Sequence, residues 1–281
     1  MTFNPNKYPD DLSQFEDIDG VINQLIASNV EHAEPFLTKE SNVVTLGSCF
    51  AHNISKALSL EGYKSFNAEI PEVANTTYGT KAIVEAACSE ELELETVRYA
   101  EKTLQLRNGS IEETKNRINE ADVFIITIGP AWIPVDEKTM AWKPLIKKGE
   151  RFSMRLSSQE ENVSNVRRVI HLIRSVRPNC KIILTVSPVP GTRGYAGAAK
   201  SPIVADCLSK SVMRITAHVV CSQLRDYVIY WPSFEMVRWL GSHTGPVFGQ
   251  SDGHARHPND ELVQIIMKSF ISKFSTRPSE N

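Results

Sequence analysis

The chain has 281 residues with a net charge of −2, and 41% of the residues are hydrophobic, enough for one large α/β domain or two small ones. Because Lys, Arg, Asp and Glu are mixed along the chain, the composition indicates neither nucleic acid nor an anionic membrane as the main partner. The sequence has no apolar run of about 18 residues, so it predicts no membrane span.

The N-terminal residues 1–42 are interpreted as an arm and connector, and the first of them lack the apolar core of a secretory signal. Downstream, β-favouring and apolar runs predict strands at 43–46, 63–66, 123–128, 181–186 and 227–231. Helical patterns occupy 21–28, 51–60, 79–89, 157–176, 204–224 and 258–274. The charged stretch around 90–119 predicts an inserted helix and hairpin. Strands alternating with helices predict a mainly parallel sheet, and one domain over 43–281 is the simplest interpretation.

Two segments carry the clearest local signals. Residues 123–128 are apolar on both faces, which is typical of a strand buried between two helix layers. In the helix at 157–176, Ser157 and Ser158 precede Glu160 and Glu161 at the spacing of a capping box.

A strand that ends in Gly47-Ser48 and passes directly into a helix is the first functional signal. Ser48 would lie at the carboxyl end of a strand, where open α/β sheets bind ligands. It would also lie near a helix N-terminus, whose unpaired N–H groups can stabilise an oxyanion. The other interpretation is an ordinary tight turn in which Ser48 is only a helix cap.

A hydroxyl nucleophile needs a base, and the polar loop before the last predicted helix offers two histidines. His254 and His257 both lie there, and Asp252 in the same loop could orient an imidazole and stabilise its charged form. The alternative is a solvated Asp-Gly turn with Pro258 opening the helix.

The segment Gly-Ser-Cys-Phe-Ala at 47–51 resembles the name-giving motif of the GSCFA family, which belongs to or lies close to the SGNH (GDSL-like) hydrolases. Further resembling blocks follow in order at 126–129 with Trp132, 184–190, 209–214, 230–235 and 257–258. The resemblance covers about 210 residues.

This resemblance implies a flavodoxin-like three-layer α/β/α sandwich with Ser48 as nucleophile and a C-terminal Asp/His pair. It implies a small-molecule or glycan ester as substrate. The leading hypothesis is a serine-dependent acyl hydrolase. The alternatives are an O-acyltransferase that moves an acetyl group onto a sugar or other hydroxyl, and an inactive binding module on the same scaffold.

The sequence departs from the SGNH pattern at two places. In those enzymes Asp stands three residues before the catalytic His, whereas here that position before His257 is His254, which leaves His254 as an alternative base. The usual Gly-x-Asn block is also absent after Gly129. The oxyanion donors are then expected among the Cys49 N–H, the Gly79 N–H and the Asn75 side chain, and Gly129 is expected to contribute to the substrate-binding site.

The five cysteines are widely spaced and form no Cys-x-x-Cys pair, so neither a zinc site nor a disulfide framework is predicted. We therefore expect a cytoplasmic enzyme that needs no metal or cofactor.

Overall fold

A computed structural model describes residues 3–28, 30, 35–47, 49–89, 93–144, 146, 149–191 and 201–276 of the chain. Within these residues there are seven strands, namely β1 (Asn42–Gly47), β2 (Lys64–Glu69), β3 (Val123–Ile128), β4 (Trp132–Val135), β5 (Ser153–Leu156), β6 (Lys181–Val186) and β7 (Val228–Tyr230). The α-helices are α1 (Ile18–Gly20), α2 (Cys49–Leu60), α3 (Thr77–Cys88), α4 (Leu94–Gln105), α5 (Ile111–Glu120), α6 (Gln159–Val176), α7 (Pro202–Gln223), α8 (Ser233–Gly241) and α9 (Asp260–Phe274). Shorter helical turns lie at Leu12–Glu16, Val21–Ile26 and Glu72–Ala74.

Five strands form the main sheet in the order β2-β1-β3-β6-β7, and all its pairs are parallel. Counted among the sheet strands alone, this is the 2-1-3-4-5 order of flavodoxin-like folds. The strand order reverses between β1 and β3, and ligands bind at the carboxyl ends of the strands at such a point. β4 and β5 form a separate antiparallel pair after β3.

Helices cover both faces of the sheet, as the apolar run in β3 predicts. All six residues of β3 are buried. Phe124 and Ile126 point into a core shared with α3 to α7, and Val123 and Ile125 point into a second core shared with α2, α8 and α9. The three-layer α/β/α architecture expected from the resemblance is therefore confirmed.

The segment before β1 contributes to the second of these cores. Phe3, Phe15, Val21 and Ile22 are buried there, and the Phe15 ring stacks on His243 with centroids 4.0 Å apart. The division of the chain into an arm and a domain remains an interpretation.

Most predicted elements are present, with three differences. The described part of 90–119 forms α4 and α5, so the hairpin expected there was wrong. Helix α8 was not predicted, although Met236, Val237 and Leu240 give it a buried stripe. The sequence also placed the second strand at 63–66, whereas β2 continues to Glu69. Among the described residues, no helix has the length and apolar character to cross a bilayer.

Candidate active site

The carboxyl end of β1 fits tightly against β3 and α2. Gly47 has φ +150°, and a Cβ there would lie 3.0 Å from the carbonyl oxygen of Thr127 and 3.1 Å from the Cβ of Ala51. Only glycine suits both this conformation and this contact. Ser48 lies outside the described residues, so its role as nucleophile stays a prediction. Cys49 opens α2, where the first backbone N–H groups have no partner within the helix.

Asp252 and His257 form a hydrogen-bonded pair in the loop before α9. The distance from Asp252 Oδ2 to His257 Nδ1 is 2.6 Å. This hydrogen bond, together with one of 2.8 Å from the His254 backbone N–H, holds the pKa of the Asp252 carboxyl below its ordinary value. Because the carboxylate is ionised, Nδ1 is the protonated nitrogen of the neutral imidazole, and Nε2 is left as a proton acceptor.

His254 has a different place in the same loop. Its ring stacks on the His257 ring with centroids 4.2 Å apart and an interplanar angle of 14°, and only its backbone N–H contacts Asp252. The five-residue spacing from Asp252 to His257 is spanned by a turn at Gly253, which has φ +72°. A second turn follows it, in which the His257 N–H donates to the His254 carbonyl oxygen at 2.9 Å.

Arg256 ties this loop to the carboxyl edge of the sheet. Its Nη1 donates to Glu72 Oε1 at 3.0 Å and to the Pro190 carbonyl oxygen at 3.1 Å. Glu72 lies in the connection after β2, and Pro190 follows β6. The Asp252–His257 pair therefore lies in a loop bound to the edge at which β1 ends.

Asn75 and Gly129 are brought into direct contact at that edge. The Asn75 side chain is buried, and a Cβ on Gly129 would lie 2.7 Å from Asn75 Nδ2 and 2.0 Å from the Asn75 carbonyl oxygen. A side-chain amide from the connection after β2 thus lies beside Gly129, where the sequence lacks the Gly-x-Asn block.

Gly79 does not fit the role of an oxyanion donor. Its N–H donates to Thr76 Oγ1 at 3.1 Å and so caps α3. A Cβ at Gly79 would lie 2.0 Å from the Ala74 carbonyl oxygen and 2.6 Å from the Tyr99 hydroxyl. Because this N–H is engaged in the cap and the glycine is closely packed, we do not include Gly79 among the proposed oxyanion donors.

A cavity of about 410 Å³ opens beside these residues. Its polar end includes Asn75, Gly129 and Ser187, which follow or lie beyond the carboxyl ends of β2, β3 and β6. Its other end is lined by apolar and aromatic side chains, among them Tyr99, Leu106, Trp132, Trp142, Phe152 and Met154.

Lys210 lines the same cavity and was missed as a functional candidate. The residue is 3% exposed. The net effect of its surroundings is to lower the pKa of its ammonium from 10.5 to about 8. Burial is the main cause, Asp206 acts against the shift, and Arg238 adds a smaller lowering effect that is included in this value. The signal in the sequence was the helical spacing of Asp206, Lys210 and Met213, which puts a lysine on the inward stripe of α7.

Other residues of the family-like blocks hold the scaffold together. Ser209 Oγ accepts a hydrogen bond of 2.8 Å from the Ala131 N–H, and Trp132 Nε1 donates to the Ala205 carbonyl oxygen at 3.0 Å. Glu235 accepts hydrogen bonds from Arg214 and, at 2.8 Å, from the Tyr230 hydroxyl. These contacts fix α7 and α8 against the sheet. In the described part of the chain, no cluster of three His, Cys, Asp or Glu side chains could hold a metal ion.

The order of the parallel strands makes this a flavodoxin-like α/β protein. An Asp–His pair and a cavity lie at the carboxyl edge of its sheet. The chain belongs to the GSCFA family, whose sequence model matches residues 42–270. This confirms the family assignment made from the motif at 47–51. A search of curated proteins finds no match.

Several solved structures resemble the chain at low identity. A candidate GDSL-like lipase from Parabacteroides merdae is 14% identical, with 85% of this chain and 97% of that chain covered and a TM-score of 0.46. A carbohydrate esterase family 2 enzyme with a carbohydrate-binding domain from Corynascus thermopiles is 13% identical, with 87% and 68% covered and a TM-score of 0.46. At these scores the similarities say nothing about the reaction of this chain.

Proposed function

We propose that this protein is a serine-dependent acyl ester hydrolase in which Ser48 is the nucleophile, His257 the general base and Asp252 the residue that orients His257. The observation that carries the proposal is the 2.6 Å hydrogen bond between Asp252 Oδ2 and His257 Nδ1 in a loop bound to the sheet edge at which β1 ends. An ionised carboxylate on Nδ1 leaves Nε2 free of a proton, as the base of a serine hydrolase requires.

In the proposed reaction, Ser48 Oγ attacks the ester carbonyl carbon while His257 Nε2 takes the hydroxyl proton. The carbonyl π electrons move onto oxygen, and the imidazolium then gives its proton to the departing alcohol. Water, deprotonated by His257, then attacks the acyl carbon; the bond to Ser48 Oγ breaks, and the imidazolium returns its proton to Ser48 Oγ as the acid leaves. The backbone N–H of Cys49 and the side-chain amide of Asn75 are the proposed donors to the oxyanion, with Gly129 allowing the approach of Asn75.

An aryl ester assay with and without a polyol acceptor tests this function. We expect the wild-type protein to release the aryl alcohol and free acid, and Ser48→Ala to lose this activity while keeping its thermal stability. Acylated polyol as the main product would instead support the O-acyltransferase alternative. Full activity in Ser48→Ala would contradict the nucleophile assignment, and no turnover of any ester would favour the binding module.

No step of this chemistry needs a metal ion or a cofactor. We therefore expect the esterase activity to persist in excess chelator. Loss of activity that Zn²⁺ restores would contradict this expectation. A cytoplasmic location stays a prediction from the sequence.

A further inference from the structure

We propose that the cavity at the carboxyl edge of the sheet binds the acyl part of an apolar monocarboxylic acid, aromatic or of medium chain length, with the Lys210 ammonium opposite the acyl oxygen. The cavity would hold the ester during reaction and the free carboxylate as product. The inference rests on the proposed function only for naming this acid as the acyl part of the substrate.

The walls of the cavity away from the sheet favour an apolar group much larger than acetyl. Trp142 packs on Tyr99 with ring centroids 5.2 Å apart, and Trp132 and Met154 come from the neighbouring β4–β5 pair. A volume of about 410 Å³ lies within the range of small-molecule sites, about 300–1,000 Å³. An acetyl group would leave most of this apolar surface uncovered.

The only buried cation that lines the cavity in the described part of the chain is Lys210, and it has no hydrogen bond or ion pair among the described residues. The acidic residue one turn earlier on α7 is already engaged. Asp206 Oδ2 accepts from Arg238 at 2.7 Å and Oδ1 from the Gly191 N–H at 2.9 Å. A buried charge is costly unless it is paired, so an anionic ligand group is the partner that this ammonium lacks.

The contacts of its neighbours on α7 locate Lys210 within the cavity. The preceding residue, Ser209, accepts a hydrogen bond from the N–H of Ala131, which lies just after Gly129. Asp206 accepts one from the N–H of Gly191, which lies after β6. Lys210 therefore lies between the connections that follow β3 and β6, at the polar end of the cavity. Negative charge develops on the acyl oxygen in the transition state and remains on the carboxylate of the product.

The other charged groups around Lys210 come from three neighbouring elements. Glu72, in the connection after β2, is bound by Arg256 at 3.0 Å, and Arg238 on α8 is bound by Asp206 at 2.7 Å. The Cys49 side chain of α2 has a smaller effect, which raises the pKa of the Lys210 ammonium. Because both carboxylates have arginine partners, the ammonium is left for the ligand.

Calorimetric titration with octanoate, acetate and octanol, all below the micellar range, tests the proposal without turnover. We expect octanoate to bind the wild-type protein at least tenfold more tightly than acetate or octanol. Lys210→Met and Lys210→Gln should each weaken octanoate binding at least tenfold and leave octanol binding within twofold. Lys102→Met is the matched control, because Lys102 lines the same cavity but is exposed, and it should change octanoate binding less than twofold.

Trp142→Ala tests the apolar wall and should weaken octanoate binding with little effect on acetate. Acetate binding as tightly as octanoate, or octanoate binding that survives both Lys210 variants, would overturn the proposal. Octanoate binding as expected in a protein that hydrolyses no ester would leave this inference standing and remove the proposed function. Rapid hydrolysis of an acetyl ester without octanoate binding would leave the proposed function standing and overturn this inference.

Discussion

Two stacked histidines occupy one loop, but only one of them has its ring bound to a carboxylate. His257 Nδ1 contacts Asp252 Oδ2 at 2.6 Å, whereas His254 offers Asp252 its backbone N–H. This difference assigns them unequal roles in the proposed reaction, although the sequence left both open as the base.

We expect His257→Ala to lower kcat for an aryl ester about a thousandfold or more, because removal of a triad base abolishes activation of the nucleophile. His254→Ala is the matched control and should cost less than about tenfold, since it removes a stacked ring and keeps the Asp252 contact. The double variant of Ser48 and His257 should be little worse than either single variant, because the two act as a unit. An inactive His254→Ala beside an active His257→Ala would reverse the assignment.

The connections at the carboxyl edge of the sheet depend on close backbone contact between elements. At Gly129, which follows β3, a Cβ would lie 2.0 Å from the Asn75 carbonyl oxygen. The short connection after β3 and the segment that leads into α3 therefore fit only if residue 129 has no side chain.

Gly129→Ala should reduce kcat at least about tenfold and lower the free energy of unfolding by about 1–3 kcal/mol, the usual cost of overpacking. Gly109→Ala is the control, because a Cβ there would find its nearest neighbour, the Leu104 carbonyl oxygen, at an ordinary contact distance of 3.5 Å in the connection between α4 and α5. Thermal unfolding and ester hydrolysis measured on both variants check this. Equal behaviour of the two variants would show that the Asn75–Gly129 contact matters for neither stability nor activity.

Local signals predicted some elements well and others poorly. Helix α6 begins at the expected capping box, in which Glu161 and Ser158 bond each other's backbone N–H groups. Helices α4 and α5 were harder to predict from the sequence, because their surfaces are highly charged and only a few residues of each helix are buried. Helix α8 follows β7 after only Trp231 and Pro232, in a stretch between the predicted strand at 227–231 and the predicted helix at 258–274 to which no element had been assigned.

The site could be predicted only where its partners are near in sequence. Asp252 and His257 share one loop, so their pairing was within reach of the sequence. The contact of Asn75 with Gly129 depends on the strand order β2-β1-β3, which brings two distant connections to one edge. Lys210 was hidden for a similar reason, because the cavity it lines is assembled from several elements.

For the whole molecule, the buried Lys210 ammonium lowers the free energy of unfolding while it supplies a charge to the proposed binding site. The pKa of the Lys210 ammonium falls from its ordinary value of 10.5, which applies to the unfolded chain, to about 8 in the folded chain. The folded state therefore binds this proton less tightly than the unfolded state. The charged form therefore destabilises the fold fully below pH 8, and the cost fades as pH rises from 8 towards 10.5.

Lys210→Met should accordingly stabilise the protein at pH 7, by up to roughly 3 kcal/mol, because one pKa unit corresponds to about 1.4 kcal/mol. The difference in the free energy of unfolding between Lys210→Met and the wild type should become smaller as the pH rises towards 10. Lys102→Met, which removes an exposed charge, should show no such trend. Thermal unfolding of the three proteins from pH 6 to pH 10 measures this. A destabilised Lys210→Met at pH 7 would mean that the ammonium has a structural role instead.

Covalent labelling of Ser48 tests both the proposed acyl-enzyme and the part that His257 plays in forming it. A serine-reactive fluorophosphonate should add once per chain, with fluoride as the leaving group, and peptide mass spectrometry should locate the adduct on Ser48. Ser48→Ala should not be labelled, and His257→Ala should be labelled orders of magnitude more slowly. A stoichiometric adduct on any other residue would contradict Ser48 as the nucleophile, and equal labelling rates in the wild-type and His257→Ala proteins would contradict His257 as its base.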